Sequence, residues 1–584
     1  MVWARNLLFG VLCLAGLLAI GGSLLERSHI KSPRDFYGGQ SRVIATTPVS
    51  SVPPASLPTK TTSGSQAEQK IWPSREPKDF AVVVARINQE HRQDWENLKL
   101  EPAERADDLT IARRLSLALT GTVPSVEEIR ALEQVNPDDR VEWWVAHLLE
   151  DRRYADYVAE RLARAYVGTV DGPFVLYRRR RFVTWLADHL DNNTPYNSIV
   201  EELIADTGLW NASPAVNFVT VTAQQDKGNE PSEIRLAGRT TRAFLGMRID
   251  CLECHDDKLG NIVLGEKDNP HLGKQTDFHQ LAAFFSQTTV QLTGVRDDQK
   301  QKYDYKYLKA EKEVVVPAKV PFGQEIFDGR GTRREQLARW VTNPQNKPFA
   351  RATVNRIWAL LYGKPLVAPV DDIPLYGKYP PPLETLADDF IAHNYDLKRL
   401  IRLIAASDAY QRDSQADFEI TSEHEDHYAA FPITRMRPEQ VAGSVIQASS
   451  LTTINADAHI LSQIIKALQS GEFVQRYGDM GEDEFIDRGG TIPQRLLMMN
   501  GELVKGRTDQ NFVQNAASRI TMVTAKPEKA VETAYLAILT RRPTERESAH
   551  FVARLNDRTE TNRVQNMEDL YWVLLNSTEF SWNH

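Results

Sequence analysis

The sequence predicts a mainly α, multi-helical protein of two helical domains, with a small antiparallel β element between them. Three observations predict it. Apolar residues recur three and four positions apart over most of the chain from residue 78 onward. In LTIARRLSLALTG (109–121), for example, Ile111, Leu115, Ala118 and Leu119 form one stripe. Helix starts are also spelled out: Ser125 with Glu128, and Thr544 with Glu547, each read as an N-cap followed by the glutamate of a capping box. Finally, strand-like sequence is confined to two stretches, near 215–223 and near 302–322.

At 584 residues the chain needs more than one ordinary core. Apolar residues make up 42% and charged residues 25%, a globular balance. The net charge of −8 gives no basic surplus, so no nucleic acid is expected as a partner. Three cysteines cannot staple a body of this size, and packed cores must hold it.

Residues 1–25 read as a signal peptide or an uncleaved signal anchor. Arg5 precedes an uncharged run from Asn6 to Leu25 that is long enough to span a bilayer, and Ala19-Ile20-Gly21 offers a weak cleavage site. The bulk of the chain is therefore expected in the cell envelope, outside the cytoplasm, secreted or held to the membrane by its N-terminal segment. Cys13 sits inside the apolar run as filler. Residues 26–77 include the Pro/Ser/Thr-rich stretch 45–66, which cannot bury a core and reads as a disordered tether.

The first helical domain is expected over 78–290, a β-containing connector over 291–330, and the second helical domain over 331–584. After the stripe at 109–121 come helices at 154–168, 178–191, 196–206, 232–248 and 275–287. AVNFVTVTA (215–223) reads as a strand, and KYDYKYLK (302–309) with EVVVPAKVPF (313–322) as the antiparallel element. Further helices are expected at 334–342, 349–363, 383–393, 396–409, 437–450, 457–469, 494–502, 511–520, 528–540 and 566–577.

CLECH (251–255) holds two of the three cysteines. Covalent haem attachment needs two thiols that reach two vinyl groups, with an imidazole directly after them as the proximal iron ligand. Cys251, Cys254 and His255 meet these demands, and the leader supplies the export that such attachment requires. A second iron ligand would come from His271 or His279. Zinc on Cys251, Cys254, His255 and a later histidine is an alternative; so is a CxxC disulfide, or a structural turn with no cofactor. The acidic flank Asp250, Glu253, Asp256 and Asp257 makes poor thiolates.

Other stretches carry weaker chemistry. Asp371-Asp372 is a carboxylate pair that could serve acid–base catalysis, with Asn355 and Arg356 bracing the loop before it. YRRRRF (177–182) reads as a solvated helix face with ion pairs, or as an anion site. RYGDMGEDEFIDRGG (476–490) is an acidic loop that fits no EF-hand.

Several blocks together resemble the large secreted proteins of planctomycetes and relatives that pair the domains DUF1549 and DUF1553. In the first domain these are RRLSLALTGTVPSVEEI, NNTPYNSIVEELIADTG, and LAGRTTRAFLGMRIDCLECHDDKLG followed by TDFHQLAAFF. In the second they are FARATVNRIWALLYGKPLVAPVDDI, LETLADDFIAHNYDLKRLIRLIAASDAYQRDS, RMRPEQVAGSVI and LYWVLLNSTEFSWNH. The resemblance implies an extracytoplasmic, mainly helical protein and no established reaction. Members are often joined to a separate cytochrome c domain with its own CxxCH. The family often continues the motif as C-H-D-H or C-H-N-H; here it reads Cys254-His255-Asp256-Asp257. The expected role is electron transfer through one c-type haem, with a redox partner protein. The alternatives are a scaffold or binding protein without haem and a hydrolase of extracellular polymers.

Overall fold

Asp107 accepts hydrogen bonds from the Leu109 and Thr110 amides, and Gly121 ends the Asp108–Thr120 helix in the left-handed region. Both expected capping boxes are present, Ser125 with Glu128 and Thr544 with Glu547. The computed structural model describes residues 78–584 apart from 170–171, 174–175, 225–227, 292, 455–475, 478–484, 486–490, 502, 505–515, 525 and 557–559. The expected leader, tether and 457–469 helix, and most of the 476–490 loop, lie outside the described residues.

The protein is mainly α. Helices Arg152–Val167, Arg179–Asp191, Tyr196–Ala205, Arg333–Thr342, Lys347–Tyr362, Pro381–Ala392, Leu397–Ala406 and Pro438–Ala448 fall close to their expected positions. Helices Lys78–Leu98 and Arg140–Glu150 add to them. Among the described residues the strands form two-stranded antiparallel ladders only. Asp304–Tyr305 pairs with Val314–Val315 inside the expected connector. Val263–Glu266 pairs with Asn269–Leu272, a hairpin that the sequence pattern does not announce.

Two expectations are corrected. AVNFVTVTA is not a strand: Pro214–Val216 is a 3₁₀ turn and Asn217–Thr220 a turn of α-helix. Asn217 decides this, because its amide donates to the carbonyls of Trp210 and Pro214 while its oxygen takes the Arg178 amide. A short buried apolar run has no periodicity to separate strand from helix. The 232–248 segment is not one helix either. An α-helix at Glu233–Thr240 widens to a π turn at Thr241–Leu245, and Gly246 stops it at φ 62°. The Thr240 and Thr241 hydroxyls donate back to carbonyls three and four residues earlier, which loosens the helical ladder there.

The connector does not divide the buried interior. One core takes Leu115, Phe244 and Phe284 from one side and Trp340, Trp358 and Leu400 from the other. Helix Arg333–Thr342 packs on Tyr196–Ala205, and Lys347–Tyr362 packs on the Thr241–Leu245 turn. A second core spans Met436 to Phe580 and also takes Leu117 and Val123. The Asp108–Thr120 helix thus serves both cores. Its fully buried Arg113 donates to the carbonyls of Ile538 and Phe580. Arg114 donates to the carbonyls of His584 and Arg412 and lies 3.8 Å over the Phe431 ring.

Candidate functional site

CLECH follows the broken helix. Asp250–Glu253 is a 3₁₀ turn, closed by the Cys254 amide on the Cys251 carbonyl. The turn is pinned from its inner side. Leu252 is fully buried, and the Glu253 carbonyl accepts from Gln275 Nε2 (2.9 Å), His279 Nε2 (3.0 Å) and Tyr305 Oη (3.3 Å). The outer positions face solvent: Cys251 and Cys254 are free thiols and exposed, and His255 is exposed. Such burial as Cys251 has, followed by the carboxylates of Asp257 and Asp250, pushes its thiol up.

The His255 ring makes one informative contact. Its Nδ1 lies 3.0 Å from the Asp256 carbonyl oxygen. A carbonyl only accepts, so Nδ1 carries the proton and the neutral ring keeps its lone pair on Nε2. This is the second-shell arrangement that orients an imidazole for a metal. The next two residues build structure. The Asp256 carboxylate accepts the Gln275 amide at the start of the Gln275–Ala282 helix. Asp257 accepts the amides of Ile262 and Leu259, and these bonds hold its carboxyl below the usual range. At the position where the resemblance suggests a histidine, this chain has a loop-closing carboxylate.

The two candidate second ligands differ. His279 is fully buried: Nε2 donates to Glu253 and Nδ1 accepts from Tyr303 Oη at 2.8 Å, which engages both nitrogens. It stacks on Tyr305 with ring centroids 3.4 Å apart, and burial pulls its pKa down. His279 is a core histidine that supports the motif from beneath. His271 lies on the hairpin opposite Leu264, its Nδ1 2.9 Å from the Leu272 carbonyl. Among the described residues, no group of three or more His, Cys, Asp or Glu side chains is arranged to hold a metal ion.

Asp371, far away in sequence, is part of the same site. Arg248 donates to Asp371 Oδ1 at 2.9 Å through Nε and 2.8 Å through Nη2. Arg242 Nε lies 3.5 Å from Asp371 Oδ2 and 3.4 Å from Asp250 Oδ2. An ion network therefore connects Asp371 to the residue immediately before Cys251. Asp372 is exposed; such burial as it has pushes its pKa up, the Arg248 amide and guanidinium oppose this, and Asp371 adds to it. Asn355 braces the loop as expected, through both bonds to the Val367 backbone. Arg356 turns the other way, toward the Arg242 carbonyl at 3.5 Å. The arginine run is a solvated face with ion pairs: Arg180 and Arg181 are exposed, and Arg179 holds Glu160 and the Gly168 carbonyl.

Residues 86–290 match the family model described as a protein of unknown function (DUF1549), and residues 333–472 match that described as a protein of unknown function (DUF1553). The chain carries both domains, in that order. CLECH lies in the DUF1549 domain and Asp371 in the DUF1553 domain, so the network joins the two. No curated protein and no solved structure matches the chain. The sequence reading missed Arg242, Arg248 and Asp250 as a group, because only the folded chain brings Asp371 to them. It also missed the Tyr305–His279–Glu253 support. The alternation of aromatic and charged residues in KYDYKYLK was the available signal for one aromatic face there.

Proposed function

We propose that this DUF1549–DUF1553 protein is extracytoplasmic, is held at the membrane by its leader, and carries one covalent c-type haem used in electron transfer with a partner protein. The observation that supports the haem most directly is the His255 Nδ1 contact with the Asp256 carbonyl, made where both free thiols face solvent. Cys251 and Cys254 would form the two thioether bonds, and His255 Nε2 would face the iron. A bound haem supplies one-electron exchange. The chain supplies the fixed turn, an oriented imidazole, and a carboxylate-rich surround from Asp250, Glu253, Asp256 and Asp257. Among the described residues no helix is long and apolar enough to cross a membrane. The proposed attachment rests on residues 1–25 alone.

Export of the full chain in a host with a cytochrome maturation system tests the reading. The purified protein is expected to stain for haem after denaturation and to exceed its polypeptide mass by one haem. A colourless protein of polypeptide mass overturns it.

A further inference from the structure

The three outward groups of CLECH sit on a short turn, and a 3₁₀ turn is a weak element by itself. Its flanks are held from the other domain. The Asp250 carboxylate sits in a notch at Gly238, where a Cβ would come within 2.0 Å of Oδ1. The Arg242 guanidinium closes the notch, its Nε lying close to both the Asp250 and the Asp371 carboxylates. Four residues further along the chain, at Gly246, the DUF1553 loop meets the backbone itself: the Ile373 amide donates to the Gly246 carbonyl at 2.7 Å. Gly246 is left-handed, and an added Cβ would meet Ile373 and Ala352 at 3.1–3.2 Å. Arg248, three residues before Cys251, is bound to Asp371. The same loop reaches the neighbouring hairpin, where Tyr376 Oη donates to the Gly265 carbonyl at 2.6 Å. The loop in turn is fixed to the Lys347–Tyr362 helix through Asn355.

We propose that Asp371 is a positioning residue for the cysteine turn: through Arg242 and Arg248 it fixes the backbone that presents Cys251, Cys254 and His255. It acts through the arginines and does not itself perform acid–base chemistry. This deepens the haem reading, which supplies the reason for presenting the three groups together, but it concerns the polypeptide and is measured without haem. The turn as held keeps the two sulfurs unbonded. On this proposal the disulfide requires a change in the turn, which the clamp opposes. Releasing the clamp therefore favours the disulfide.

The test uses the full chain made without haem maturation and equilibrated with glutathione. The two thiols give up two electrons and two protons to oxidised glutathione, yielding the Cys251–Cys254 disulfide and two reduced glutathiones. Trypsin cuts after Arg248 and Lys258, so the mass of the released peptide IDCLECHDDK reports this pair without interference from Cys13. D371N is expected to shift the equilibrium toward the disulfide about tenfold. D371E, which restores the carboxylate, is expected to return it to within about twofold of wild type. A D371N equilibrium equal to wild type overturns the proposal, as does D371E as perturbed as D371N. Should D371N fail to fold, R242Q cuts the link to Asp250 and keeps the Arg248 pair; a wild-type equilibrium in R242Q is then the overturning result. Haem content of matured wild-type protein is read separately, so either claim can fail while the other stands.

Discussion

The Arg248 guanidinium donates twice to Asp371 Oδ1, at 2.8 and 2.9 Å, across 123 residues of chain. That bond ties the DUF1553 loop to the segment that enters CLECH. Asp371 is largely buried and Arg248 about one-third exposed, so the pair is only partly screened by water. A double-mutant cycle with Arg248→Ala and Asp371→Ala, read by urea denaturation, is expected to give a coupling of about 1 kcal/mol. Additive effects would show that the contact adds nothing to the stability of the two domains.

His91 lies between Trp95 and Trp358, 5.8 Å from each ring, with 4% of its surface exposed. Burial pulls its pKa from 6.5 to about 4, against the weaker opposing pull of Asp94 and Asp408. The unfolded chain therefore binds a proton more readily than the folded one between these values. The contribution is present in full above pH 6.5 and is lost as pH falls toward 4, by about 3 kcal/mol in all. Denaturation midpoints across this range are expected to fall in wild type and to flatten in His91→Phe.

Glu128 gives a second acid transition in a lower window. Burial raises its pKa, but His147, Arg153 and the Ser125 amide outweigh burial and hold it at about 2. Its contribution is present above 4.5 and disappears as pH falls toward 2. Glu128→Gln keeps a cap acceptor and leaves the buried Arg153 with Asp151 as its remaining carboxylate. The loss at neutral pH is expected to be about 3 kcal/mol, checked by thermal and urea unfolding.

Cys251→Ser and Cys254→Ser remove exposed sulfurs. Each is expected to change stability by less than about 0.5 kcal/mol while abolishing the proposed two-point haem attachment in the matured protein. A large loss of stability in the haem-free chain would show that the thiols serve the fold.

Much of the helical architecture was legible because it is local. Ser125–Glu128 and Thr544–Glu547 sit a few residues apart, and their capping geometry follows from residue type alone. What failed was tertiary. Asn217 made a helical turn of a strand-like run by bonding three backbone groups around it. Gly246 stopped a helix that its apolar stripe would have continued. At the site, the spacing of CLECH was plain in the sequence. The functions of its neighbours were not, because His279 could be placed beneath the motif only after Tyr303 and Tyr305 were placed beside it.

Arg113 and Arg114 have a consequence for how the protein matures. Their acceptors include Ile538, Phe580 and His584, which lie 425, 467 and 470 residues downstream. A growing chain holds these two guanidiniums on an apolar helix long before these acceptors emerge. Contacts this distant in sequence form slowly, and the unfinished helix face stays open to wrong associations meanwhile. Shielding of that helix face until the C-terminal segment has been made is thus a condition the fold imposes on its own synthesis.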